Sequence, residues 1–94
     1  MKVELSARPR LATRARLRLD RKTGEYVLLY PEKGLLLNAT SAAIAKRCTG
    51  EQTVSEIVIE LAAEFSEPDA KRLEGEVLEL LGALAERGLI TEVA

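Results

Sequence analysis

Residues 26–38 read Tyr26-Val-Leu-Leu-Tyr-Pro-Glu-Lys-Gly-Leu-Leu-Leu-Asn38, two short apolar runs around a Pro31-to-Gly34 turn, closed by an asparagine suited to begin a helix. Proline presets φ at the first central position of a turn, and Gly34 tolerates the positive φ that such turns often need, so the chain is expected to reverse here as a hairpin. The second strand, Gly34 to Asn38, is short. Unless a later strand covers it, its outer backbone groups lie at a sheet edge, and an open apolar edge is either an aggregation hazard or a binding site.

Upstream, Ala15-Arg-Leu-Arg-Leu-Asp20 alternates strictly, with Ala15, Leu17 and Leu19 on one face and Arg16 and Arg18 on the other, the pattern of a half-buried strand. Arg21 to Gly24 supplies the turn into Tyr26 to Tyr30, which is apolar on both faces. One face should meet the helices, and the other needs a cover, either the N-terminal arm or a partner chain. Residues 1–14 show no sustained period and read as a mobile or exchanged arm, or one lying on the domain.

Downstream, Asn38 or Thr40 can cap a first helix that Gly50 closes in the left-handed conformation. Thr53-Val-Ser-Glu56 is a capping box for a second helix whose stripe is Val54, Ile57, Val58, Leu61, Ala62 and Phe65. Ser66-Glu-Pro-Asp69 is expected to open the third, with proline in its first turn, and the helix to run to Arg87. Its core stripe is Ala70, Leu73, Val77, Leu80, Leu81 and Leu84. One flank of that stripe is small and apolar: Lys71, Gly75, Leu78, Gly82 and Ala85. Two glycines inside a helix cost about 2 kcal/mol relative to alanine, which implies close approach of another helix, of the arm, or of a bound peptide. Gly88 then caps the helix, and the last residues fray or form a short strand.

The fold class is therefore α+β: a short N-terminal antiparallel three-stranded sheet (15–38) packed on a three-helix, winged helix-turn-helix-like bundle (39–88), in a single domain spanning 1–94. Ninety-four residues, 47% apolar and 31% charged, support one small core and no second domain. One cysteine and no histidine exclude a disulfide, a Cys/His zinc cluster and an imidazole base within one chain, so neither cofactor nor metal is expected. Without a partner base, Cys48 reads as a small buried hydrophobe. No run has signal-peptide or membrane-span length, which makes a soluble cytoplasmic protein the expectation.

Residues 1–22 carry eight Lys/Arg against Glu4 and Asp20, a local balance of +6 that leaves −7 for the rest. A winged helix invites a DNA-binding reading, but Glu74, Glu76, Glu79 and Glu86 on the third helix would meet phosphate with the wrong sign, so no nucleic-acid partner is expected. An enzyme is not expected either, since no glycine-rich phosphate loop or evident catalytic pair is present and the glutamates match solvent-facing positions. Three classes stand, in this order: a peptide-presenting module, a DNA-binding winged-helix protein, and a purely structural subunit of a larger enzyme.

The sequence resembles the PqqD proteins of pyrroloquinoline quinone (PQQ) biosynthesis over nearly its whole length. The resemblance rests on Arg8-Pro-Arg10, Tyr26-Val-Leu-Leu-Tyr-Pro-Glu32, the Leu37-Asn38 step into Thr40 to Ile44, Thr53-Val-Ser-Glu-Ile57 and Leu84-Ala-Glu-Arg-Gly-Leu89. Tyr26 stands where many members carry tryptophan, a departure that keeps an aromatic. The resemblance implies a non-catalytic peptide chaperone, the stand-alone form of the element that recognises ribosomally made precursor peptides (RiPPs). It would bind the precursor PqqA and present it to PqqE, a radical S-adenosylmethionine enzyme that joins a glutamate to a tyrosine in that peptide.

In such domains the leader adds a strand beside the third strand and lies in the groove between it and the third helix. Mapped onto this chain, that groove is Gly34, Leu35, Leu36 and Leu37 facing Lys71, Gly75, Leu78, Gly82 and Ala85. Tyr26, Leu28 and Tyr30 are expected to pack on the arm or core rather than on the enzyme, for which the basic N-terminal segment and the last residues are the open candidates. An open edge and a loose arm also favour a homodimer by strand exchange.

Overall fold

The computed structural model describes residues 2–31 and 33–93. In chain order the elements are β1 (Pro9–Leu11), β2 (Arg16–Leu19), β3 (Tyr26–Tyr30), β4 (Lys33–Leu37), α1 (Ala39–Lys46), α2 (Val54–Glu64), α3 (Ala70–Glu86) and β5 (Ile90–Glu92). The expected antiparallel sheet is present in the order β2-β3-β4, beside three helices. Its rows place Leu17, Leu28 and Leu35 on one face, with Leu19, Tyr26 and Leu37 alongside. That face meets the helices, and Leu28 is fully buried.

The hairpin reverses at Pro31, but Gly34 is not the residue with positive φ. It lies within β4 opposite Leu29, where a Cβ would press on Val27 Cγ1 at 3.3 Å and Leu29 Cδ2 at 3.4 Å. Its value is room for neighbouring side chains; Glu32, in the expected turn, lies outside the described residues. The helix starts follow side-chain caps: Asn38 Oδ1 accepts from the Ser41 N–H, and Thr53 and Glu56 form the full reciprocal box.

Two helix boundaries differ from expectation. Helix α1 ends at Lys46, and the left-handed Gly50 comes beyond it, where the backbone passes so close to the C-terminal strand that a Cβ would lie 2.7 Å from Val93 Cγ2. Ser66 does not begin α3. It closes α2 at φ 49°, with the Ser66 N–H donating to Ala63 O and the Glu67 N–H to Ala62 O, the double bond of a Schellman ending. Pro68 consequently precedes the cap, and the Asp69 carboxylate starts α3 by accepting from the Arg72 N–H. Gly88 closes α3 in the same way as Ser66 closes α2, with the fully buried Leu89 folding back as its N–H donates to Leu84 O.

The N-terminal segment, expected as a mobile or exchanged arm or as one lying on the domain, lies on the domain. Pro9–Leu11 pairs antiparallel with Ile90–Glu92, and Arg10 bridges Thr49. A further reason is found at α2, whose first two free N–H groups, on Val54 and Ser55, donate to Ala7 O and Leu5 O. Those donors have no partner inside the helix, so the segment completes a cap that the Thr53 box leaves half made. Its described long-range backbone pairings are with residues 48–50, 54–55 and 89–93, none of which belongs to the β2-β3-β4 sheet.

The core joins Leu28 and Leu37 of the sheet to Ile44, Val54, Ile57, Leu61, Leu73, Val77, Leu81 and Leu84 of the helices, and to Leu89 and Ile90. Of the expected stripes, Ala62 and Leu80 pack against it only partly buried, and two members fall outside it altogether. Phe65, at the α2 cap, is 42% exposed, and Ala70, in the first turn of α3, is exposed. Among the described residues no helix is long and apolar enough to cross a membrane.

Candidate functional site: an open strand edge beside a helical cleft

Strand β4 has β3 on one side and no strand on the other among the described residues. Which of its backbone groups face outward follows from the register. Tyr30 and Lys33 are Cα partners across a two-residue connection, and only the closely bonded type of antiparallel pair can exist there. Alternation then makes Leu28–Leu35 and Tyr26–Leu37 bonded pairs as well. The N–H and C=O of Gly34 and Leu36 therefore point away from the sheet.

At the C-terminal end of this edge, a cleft runs between the start of α1 and one flank of α3. It is lined by Asn38, Thr40, Ser41 and Ile44 on one wall and Glu76, Glu79, Leu80 and Ala83 on the other. Leu80 is half-buried, and Glu76 pairs with Arg72 at 3.6 Å within α3. The cleft is apolar at its base and acidic on its helical rim.

Of the residues expected to form a groove, Gly34, Leu35, Leu36 and Leu37 lie together on β4, with Leu35 and Leu37 turned inward and Leu36 62% exposed. None of the helical residues expected as its other wall lines the cleft at the end of β4. With about 100° per residue, Lys71, Gly75, Leu78, Gly82 and Ala85 sit roughly 80–160° to one side of Val77, whereas Leu80, Glu76 and Ala83 sit roughly 60–120° to the other. The structure brings the second flank, not the first, to the cleft at the end of β4. A Cβ built at Gly75 or Gly82 would meet nothing within 4 Å, so neither the arm nor another helix packs there. Leu78 and Ala85 lean partly on the core. Sequence reasoning missed Leu80 and Ala83 as cleft residues because periodicity locates a helix's buried stripe but does not say which shoulder adjoins the sheet.

Among the described residues no group of His, Cys, Asp and Glu could hold a metal ion. Cys48 is buried, its Sγ donates to Ile44 O at 3.3 Å, and loss of hydration pushes the thiol up to about 12. Glu56 is held below the usual carboxylate range by the Thr53 backbone N–H and then by its hydroxyl, which is a capping effect. What the arrangement offers is recognition: outward-facing amides and carbonyls on Gly34 and Leu36, with a cleft at one end for side chains.

Fold and site define a class, that of small winged helix-turn-helix-like recognition modules whose sheet stops at an unpaired strand. The PqqD profile, described as Coenzyme PQQ synthesis protein D, matches residues 25–90. A PqqA binding protein of Xanthomonas axonopodis pv. citri is 37% identical over 84 residues, which cover 89% of this chain and 90% of that one. The NMR structure of the PqqD truncation of Methylobacterium extorquens PqqCD, a functional, stand-alone RiPP recognition element, matches with a TM-score of 0.80 at 31% identity, over 95% of this chain and 94% of that chain. A lasso peptide synthetase B1 complexed with the leader peptide shares the fold, with a TM-score of 0.75 at 24% identity over 90% and 99%. The chain belongs to the PqqD family.

Proposed function

We propose that the protein is a non-catalytic peptide chaperone of PQQ biosynthesis that binds the precursor peptide PqqA by strand addition at β4 and presents it to the radical S-adenosylmethionine enzyme PqqE. The observation that carries this reading is the outward-facing backbone of Gly34 and Leu36 on an unpaired strand. Relatives named for binding PqqA support the choice of guest. Each edge hydrogen bond contributes a net of order 1 kcal/mol with little demand on sequence, so selectivity falls to the side chains. Guest residues on the inner face lie beside Leu35 and reach the cleft at Leu80 and Ala83, where Glu76 and Glu79 favour a guest lysine or arginine. In this reading the Lys71, Gly75, Leu78, Gly82 and Ala85 flank is the alternative helical wall.

The function places the protein in the cytoplasm, where ribosomal peptides are made. A homodimer formed by strand exchange would occupy the same edge and compete with the guest. Adding synthetic PqqA to the isotope-labelled protein tests the reading directly. Amide shifts should concentrate at 34–37 and along one flank of α3. Shifts confined to the arginine-rich front on adding duplex DNA, with none on adding peptide, would reverse the assignment.

A further inference from the structure

The outer face of the sheet is a second surface, and its chemistry differs from that of the edge. Two cross-strand rows compose it, Arg16–Leu29–Gly34 and Arg18–Val27–Leu36. Leu36 is 62% exposed, and Val27 and Leu29 are only partly covered. The face continues round the free edge of β2 into a depression lined by Leu19, Val27 and Leu29 and rimmed by Arg18, Arg21 and Lys22. Asp20 also borders it, with its carboxylate accepting the Lys22 N–H. The result is an apolar centre with a strongly basic margin.

That margin selects the occupant. A second copy placed about a two-fold axis, edge to edge along β2 or face to face, would bring Arg16 and Arg18 against their own images, and like charges directly opposed across strands are destabilising. A protein surface with carboxylates around an apolar patch meets both features, because complementary potentials steer encounter while leucines supply the area.

Strand addition makes this face continuous with the guest. A strand on β4 extends the sheet by about 4.8 Å, and its side chains alternate between faces. Guest residues opposite Gly34 and Leu36 would stand on the outer face next to Leu36, while their neighbours point toward the cleft.

Resting on the proposed peptide-chaperone reading, we propose that the outer sheet face of Arg16, Arg18, Val27, Leu29 and Leu36 is where the peptide-modifying enzyme docks through an acidic-rimmed apolar surface, and that a bound guest strand completes this face. The enzyme then touches the chaperone and its cargo together. Guest and enzyme consequently bind with positive coupling, which by linkage is the same in either order.

The test uses the full chain, the cognate precursor peptide and the cognate PqqE, with affinities read by calorimetry. The wild-type protein should bind PqqE more tightly when saturated with peptide, and less tightly as salt rises. Replacing both exposed arginines, Arg16→Glu with Arg18→Glu, should leave peptide affinity within about twofold and weaken PqqE binding by at least about tenfold, since it places like charges at the margin. PqqE binding unchanged by the double variant while peptide still binds would overturn the docking surface alone. A wild-type protein that does not bind the peptide would overturn the proposed function and this inference with it. Loss of duplex DNA binding in the double variant, with PqqE binding intact, would reassign the face to nucleic acid.

Discussion

Leu36→Pro should abolish strand addition without breaking the sheet. Leu36 is opposite Val27 in the open type of antiparallel pair, so its N–H points to the free edge and no bond to β3 depends on it. Proline is tolerated on an edge strand in this position, and the residue before it is pushed toward the extended conformation that Leu35 already has. A guest strand, by contrast, loses one hydrogen bond, worth about 1 kcal/mol net, and its orphaned carbonyl costs up to about 2 kcal/mol more where water is excluded. At 1.4 kcal/mol per tenfold, that range of about 1–3 kcal/mol is roughly a 5- to 150-fold loss of affinity. Leu36→Ala is the control, since it removes the exposed side chain and keeps the N–H. Calorimetric titration of both variants with precursor peptide, alongside thermal melts, isolates the backbone term. A folded Leu36→Pro protein that binds as tightly as Leu36→Ala would refute strand addition at β4.

Ser66→Gly should raise stability by about 0.5–1 kcal/mol and Tm by roughly 2–8 °C, because it relieves a left-handed serine at the end of α2 and gives back part of the gain as unfolded-chain entropy; an unchanged melt would show that the strain is absent. Gly75→Ala with Gly82→Ala should stabilise α3 by up to about 2 kcal/mol, since each new methyl enters open space, whereas Gly82→Leu weakens peptide binding only if that flank, rather than the Leu80 flank, is the wall. Cys48 should resist alkylation at pH 8 until urea unfolds the chain. With its thiol raised to about 12, stability is full below the unfolded value of about 8.5 and declines as pH rises above it, which chemical denaturation would follow. Glu56 behaves oppositely: its lowered carboxyl contributes stability above the unfolded value of about 4.3 and loses it as pH falls through the folded one, so the stability gap between wild type and Glu56→Ala should shrink in acid.

Local chemistry by itself determined the pieces of this protein. The alternation of Ala15 to Asp20, the apolar runs around Pro31, the Thr53–Glu56 box and Gly88 each specify a strand, hairpin or helix end through interactions spanning a few residues, and each stands where its residue types demand. That β4 would have no later partner was visible as a condition, because the only remaining strand-like run was the C-terminal tail. Where that tail goes was a tertiary decision: Ile90–Glu92 takes Pro9–Leu11 as its partner from the opposite end of the chain, and the segment before Pro9 caps α2 in mid-chain, through long-range pairings that no local pattern encodes. The flank of α3 beside the sheet was decided in the same way. Periodicity fixes an angle about a helix's own axis, but the rotation that sets Leu80 and Ala83 across from Asn38, and leaves Gly75 and Gly82 open, comes from how Leu73, Val77, Leu81 and Leu84 lock into the whole core.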